Sequence, residues 1–193
     1  MIVDNSYFTG KLNIPNLSDN QDYINNNDKL DNAIKEYEFI YLKSILGFEV
    51  AKDVLDKVQA DGQVTGGQKY KDLIEGEGEW KGLRYEVNGV KYSQIANYVY
   101  CQYLLENQTE LTEAGNTIAT FEKGNVISSW SKYNRAWQDM MLERQLHYVY
   151  DLSYYNYNVN NRGFITLWEY LSNSDDWDIN HFQYWENTNK LGI

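Results

Sequence analysis

The stretch Tyr92-Ser-Gln-Ile-Ala-Asn-Tyr-Val-Tyr-Cys-Gln-Tyr-Leu-Leu-Glu-Asn-Gln108 decides the fold. Ala96, Val99, Tyr100, Tyr103 and Leu104 recur at the spacing of one face of an α-helix, and Ser93 stands where an N-cap is needed. Ile95, Tyr98 and Leu105 widen the stripe around the rod. A helix apolar over most of its circumference has to be covered from several sides, so the pattern predicts the central helix of an all-helical core. No reactive constellation lies on it.

Upstream, Leu83 to Tyr92 alternates around Asn88-Gly89, the signature of a type I′ hairpin that delivers the chain into that helix. Before it, Gln68 to Glu75 reads as a brief helix ended by Gly76, and 61–67 as a loop. Leu30, Ile34, Tyr37, Tyr41 and Ile45 predict a helix from Asp28 to Leu46, stopped by Gly47. Phe48 to Ala60 predicts a second, with Val50, Ala51, Val54, Leu55 and Val58 inward. Residues 1–27 are too polar at 19–28 to order themselves, yet Tyr7, Phe8, Leu12, Ile14 and Leu17 are too apolar for a solvated tail. They read as an arm that orders against its own body or a neighbour.

Downstream, the pattern lapses over 109–124, a segment longer than ordinary connections and therefore a candidate functional loop. Val126, Trp130, Tyr133, Trp137 and Met140 then predict a long helix, a series that Arg144 is expected to break. Asn156 to Gly163 is an Asn-rich turn, and Phe164 to Leu171 an apolar segment of either type. The expected architecture is mainly α: a compact helical bundle over 28–171 with one short β-hairpin, and extended N- and C-terminal arms at 1–27 and 172–193.

The formal charge is -11, from 28 acidic and 17 basic side chains among 193 residues. So acidic a chain repels phosphate and makes nucleic acid a poor direct ligand. The single Cys101 excludes an internal disulfide and fits folding in a reducing cytoplasm. No secretory core or bilayer-length apolar run is present, so no membrane partner is expected. Aromatic residues make up 16% of the chain, 18 of them Tyr and 6 Trp, a composition suited to permanent interfaces.

Enzyme chemistry finds little footing. Glu75, Glu77 and Glu79 beside Trp80 could suggest a two-carboxylate glycosidase, but their spacing in a Gly-rich loop suits solvation better. His147 and His181 lack partners at metal-ligand spacing, Gly76-Glu-Gly78 lacks the Lys-Ser/Thr of a phosphate loop, and Cys101 reads as a small buried hydrophobe. No catalytic residue, cofactor or metal is expected. The rival from another class is a carbohydrate-binding or other aromatic-rich interaction module, since Tyr and Trp also stack on sugar rings. Such modules are mostly β-sandwiches, against which the helical periodicity argues.

The order of several short segments carries a resemblance: Glu38-Phe-Ile-Tyr-Leu-Lys-Ser-Ile-Leu-Gly47, Tyr70-Lys-Asp-Leu-Ile-Glu-Gly76, Trp80-Lys-Gly-Leu83, the central helix closing on Glu106-Asn, Thr112-Glu-Ala-Gly-Asn116, and Lys132-Tyr-Asn134. Over roughly residues 28–150 this resembles the head–tail connector (adaptor) proteins of tailed bacteriophages, of the kind found in phages of Bacteroides-type hosts including the crAss-like group. The Asn-rich N-terminal arm and aromatic C-terminal arm depart from the smaller connectors. The resemblance implies a non-enzymatic virion protein of the neck, assembled in the host cytoplasm. It implies a ring of about twelve copies beneath the portal protein, docking other tail or ring proteins and letting genomic DNA pass without specific binding. On that reading Glu110, Glu113, Asn116 and Phe121 belong to a ring-interface loop. Trp177, Ile179, Phe182, Tyr184, Trp185, Leu191 and Ile193 would form the partner-docking element of the C-terminal arm, the alternative being an arm that folds back on its own body.

Overall fold

A computed structural model of the chain describes residues 1–14, 24–106, 109–112, 115–118, 129–145 and 164–185. At its centre lies Gln94–Glu106, α4, whose Ile95, Ala96, Tyr98, Val99, Tyr100, Cys101 and Tyr103 are buried. Ser93 caps it as the sequence requires. Its hydroxyl accepts from the backbone N–H of Ile95 at 3.1 Å and of Ala96 at 3.3 Å and donates to the Leu83 carbonyl at 2.7 Å. One serine thus starts the helix and fixes the preceding hairpin to it.

That hairpin pairs β1, Arg84–Val87, with β2, Val90–Ser93, through Asn88 at φ 53° and Gly89 at φ 78°. Positive φ at both turn residues defines the type I′ turn that the sequence predicts. A second antiparallel hairpin, β3 Thr109–Thr112 with β4 Gly115–Ile118, occupies part of the segment expected to be an irregular loop. Threonine-rich and without alternating apolar residues, it carries little of the usual strand signal.

Two long helices cover α4. On one side packs α1, Ile24–Leu46, which starts before the expected Asp28, and on the other α5, Ser129–Arg144. Gly47 at φ 79° turns α1 into α2, Phe48–Asp56. A Cβ at Gly47 would also lie 2.8 Å from the His181 ring, so this corner needs glycine for both conformation and space. The expected extension of α2 to Ala60 is not made. Instead the returning loop captures its backbone: Thr65 donates to the Lys57 carbonyl at 2.7 Å, Gln59 to that of Gln63 at 2.9 Å, and Val58 bridges Val64. Val50, expected inward, is exposed, whereas Ala51 and Val54 are buried.

Gln68–Glu75 forms α3 with the predicted bounds. The segment after Phe164 proves helical: Thr166 and Glu169 make a reciprocal capping box for α6, Leu167–Ser172, and Tyr170 stacks on Trp80 at 5.2 Å. On α5, Tyr133, Trp137 and Met140 are buried as predicted, but Arg144 does not break the series. It continues the stripe inward with no exposed surface at all.

The chain is therefore mainly helical with short hairpins, and among the described residues the segments before α1 and after α6 carry no more regular structure than single 3-10 turns. Residues 1–14 lie on their own body, with Ile2, Val3, Tyr7, Phe8 and Ile14 buried; Leu17 and the remainder of the polar run up to residue 23 fall outside the described residues. The buried Glu38 carboxylate accepts from Ile2 N at 2.6 Å and Val3 N at 3.2 Å, while the Arg84 guanidinium donates to the Ile2 carbonyl at 3.0 Å.

Burial raises the Glu38 carboxyl from 4.5 to about 7, against the pull of the terminal amine, the two N–H donors and Arg84. Since the folded value lies above the unfolded one, the contribution of this proton to stability is complete below pH 4.5 and is lost as pH rises through about 7. Glu38→Gln keeps an acceptor oxygen and removes the titration. Urea midpoints measured across that window should fall with pH in the native chain and run flatter in the variant; parallel profiles would refute the assignment.

Candidate interaction surfaces

Among the described residues, large apolar side chains that stay exposed fall into three groups. The first is the α1–α2 corner, where Phe48 is 53% exposed and Ile40 and Val50 are also open. Phe48 folds back edge-on against Phe39 at 5.4 Å, beside Ile40. Glu49 stands exposed between Phe48 and Val50.

The second group is one face of the first hairpin. Tyr85 pairs with Tyr92 and Val87 with Val90, so period-two geometry puts all four on the same side. Val87 and Val90 are about half exposed, at 49% and 48%, with Tyr92 and the nearby Leu142 of α5 also open. This face adjoins a groove of about 410 Å³ formed by the N-terminal segment, the hairpin and α5. Tyr85 and Tyr92 stack at 5.3 Å, and Lys81 Nζ sits 5.2 Å from the Tyr85 ring and 4.2 Å from that of Phe164. Tyr85 donates its hydroxyl to Glu143 at 2.5 Å. Burial pushes the Glu143 carboxyl above its usual range, while the Tyr85 hydroxyl and Lys81 pull it back. Lys91 lies over Tyr7 at 5.3 Å, and Lys11 pairs with Asp139 at 3.6 Å.

The third group lies on the C-terminal segment. Trp177 and Phe182, expected to dock a partner, are buried against this chain, Trp177 edge-on to Tyr70 at 5.7 Å. Trp185 is half-buried, stacked on Trp137 at 5.7 Å and on the Arg144 guanidinium at 3.8 Å. Arg144 also faces Phe182 at 4.8 Å and Tyr41 at 5.0 Å and donates to the Gln183 carbonyl at 2.7 Å and Ser44 Oγ at 3.2 Å. Gln145 completes the clamp by exchanging hydrogen bonds with both backbone groups of Trp185, at 2.6 and 3.1 Å. What this segment leaves in water is Ile179 and Tyr184, the latter 64% exposed. Leu191 and Ile193 fall outside the described residues.

Of the expected ring-interface residues, Glu110 lies on β3 opposite Thr117 and Asn116 on β4 opposite Leu111; Glu113 and Phe121 fall outside the described residues. The apolar corner and the open hairpin face are surfaces the sequence reading missed. Val87 and Val90 were legible as strand residues, but nothing in a period-two pattern says that the face stays uncovered.

Among the described residues the chemical candidates of the sequence do not converge on one site. Glu75, Glu77 and Glu79 are exposed, Glu75 pairs with Arg84 at 3.1 Å, and Trp80 is buried beneath Tyr170 rather than lining a cleft with them. Among the described residues no group of His, Cys, Asp and Glu could hold a metal ion, and no helix is long and apolar enough to cross a membrane. Burial pushes the Cys101 thiol well above its ordinary value, which makes it a poor nucleophile. No protein family, curated protein or solved structure matches the chain. Its function has to be read from its surfaces and its sequence.

Proposed function

We propose that this chain is a structural assembly subunit that closes a ring with copies of itself, and that the ring is the head–tail connector of a tailed phage, between portal and tail. The observation that supports self-assembly is the placement of exposed apolar side chains in separate groups on different elements, around a core that is otherwise filled. A ring of more than two copies needs two different patches per subunit, because the same face cannot be used on both neighbours. The connector identity rests on the sequence resemblance alone. The portal above and tail or ring proteins below are then its partners, and the channel lets DNA slide because an acidic wall offers phosphate no contact energy.

Native mass spectrometry of the chain, alone and with a portal preparation, tests the reading. The expected result is a closed oligomer of about a dozen copies, formed free or on the portal. Incorporation of only one or two copies into the complex would overturn it. The carbohydrate-binding alternative is supported by a single observation, the exposed Tyr92 ring lining the groove between the N-terminal segment, the hairpin and α5, and a mainly helical body is not the usual scaffold for it.

A further inference from the structure

We infer that residues 186–193 seat Leu191 in the groove between α1 and α4 of their own body. The path of the segment before them points there. The His181 ring lies against Gly47, Gln183 donates its backbone N–H to the Ser44 carbonyl at 2.8 Å, and Trp185 meets Tyr41 edge-on at 5.8 Å. Every two residues of the segment therefore step back about three residues along α1. The contacts of Trp185 lead on in the same direction: its ring lies 5.2 Å from that of Tyr98, Tyr98 is edge-on to Tyr37 at 6.1 Å, and Tyr37 donates its hydroxyl to Glu106 at the end of α4. At that end lies a groove of about 290 Å³ lined by Lys29, Asn32, Ala33, Glu36, Tyr103 and Glu106.

The remaining sequence fits that groove in length and order. It reads Glu186-Asn-Thr-Asn-Lys-Leu-Gly-Ile193. At the pace set by His181, Gln183 and Trp185, Leu191 draws level with Asn32 and Ala33. The extended chain from Trp185 to Leu191 reaches about 20 Å, and α1 rises about 14 Å from Tyr41 to Asn32, so the segment spans the gap with slack. Ala33 and Tyr103 are buried at the floor of the groove, and the small Ala33 leaves a depression that a leucine fills. The polar residues before Lys190 pass Tyr37 on the wet side. Among the residues that line the groove, Glu36 and Glu106 carry carboxylates and Lys29 an ammonium, so Lys190 arrives at a border that accepts it. Exposed pairs of this kind contribute little, and it is the path of the chain that selects the site. Nothing in this docking requires the ring.

Glu36→Cys with Leu191→Cys in one dilute full-length chain tests the docking, with Lys43→Cys plus Leu191→Cys as the comparison. Glu36 and Lys43 are both exposed, two turns apart on one face of α1, and Lys43 adjoins the residues that Gln183 and Trp185 touch. A segment loose in water would therefore link to the nearer Lys43→Cys thiol at least as fast. Docked, the Glu36 pair should form its intrachain disulfide at least about five times faster under mild oxidation, the excess expected when two thiols are held side by side. The buried native Cys101 stays silent, and circular dichroism checks that each variant is folded. Equal or faster linkage of the Lys43 pair overturns the docking. Preferential linkage between chains, when the Glu36→Cys and Leu191→Cys single variants are mixed, also overturns it, because a second copy then supplies the segment. Ending the chain after Trp185 reads the same contact without thiols. The melting temperature should fall by about 2–6 °C, and Leu191→Ser in the full chain should produce most of that fall. Unchanged melting in both variants overturns the proposal. Each measurement is made on the single chain, so its failure leaves the ring reading standing.

Discussion

Arg144→Ala is expected to lower the melting temperature by about 6–12 °C, a loss of roughly 3 kcal/mol in a domain of this size. The guanidinium is fully buried, lies over Trp185, Phe182 and Tyr41, and has no carboxylate within ion-pair distance among the described residues. Among the described residues its Nε and Nη1 have no acceptor at normal hydrogen-bond geometry, so aromatic faces, the Gln183 carbonyl, the Ser44 hydroxyl and the Tyr41 phenol surround the cation. Desolvated cation–π contacts are worth up to about 2 kcal/mol each, and the long stem fills volume that alanine leaves empty. Burial lowers the Arg144 pKa, the cost of holding that charge away from water. Arg144→Met, which keeps the stem and sets sulfur against the rings, should therefore lose less than alanine. Lysine should do little better than alanine, because a compact ammonium cannot lie flat between rings. Calorimetry on the three variants reads the order. Lysine matching the native chain would show that charge, and not the planar stack, holds the site.

The same residue shows why parts of the fold were illegible. Apolar periodicity found α5 through Tyr133, Trp137 and Met140 but treats arginine as an interruption, whereas a planar cation can take a core position when aromatic residues distant in sequence converge on it. Tyr41, Phe182 and Trp185 are such residues, and their meeting is not encoded in any local window. Local signals with local causes were read correctly: the Ser93 cap, the Asn88-Gly89 turn, and the stops at Gly47 and Gly76. Errors arose where a tertiary contact outweighed propensity. Val58 fits the α2 stripe, yet its backbone is taken up by the returning loop, and Val50 fits a wider stripe than α2 buries. The C-terminal aromatics were visible from the sequence, but their partners were not. Aromatic surface that wants cover looks the same in a sequence whether its own body or a neighbour supplies it.

Removing residues 174–193 separates those two possibilities, and the clamp geometry fixes the expected outcome. Trp177, Phe182 and Trp185 are withdrawn from water by this chain, and each large side chain contributes at most about 1.5–3 kcal/mol. Their joint loss approaches the roughly 5–15 kcal/mol that holds a typical domain folded, even after the entropy of ordering the segment is subtracted. The truncation also strips Arg144 of Trp185, Phe182 and the Gln183 carbonyl, leaving an exposed shelf where a filled core stood. The truncated chain should melt at least 10 °C lower, roughly, or fail to fold cooperatively. Ile179→Ser with Tyr184→Ser should do far less: Ile179 is 37% and Tyr184 64% exposed, and Tyr184 gives up only its ring contacts with Phe182 and Trp168, so stability should fall by no more than about 1 kcal/mol per site. If the C-terminal segment also docks a portal or tail partner, the double serine variant should lose that association while the chain still folds and melts well above the truncation. A truncation that melts with the full chain would mean that residues 174–185 contribute no net stability to the body. Docking would then fall to the whole aromatic segment and not to Ile179 and Tyr184 alone.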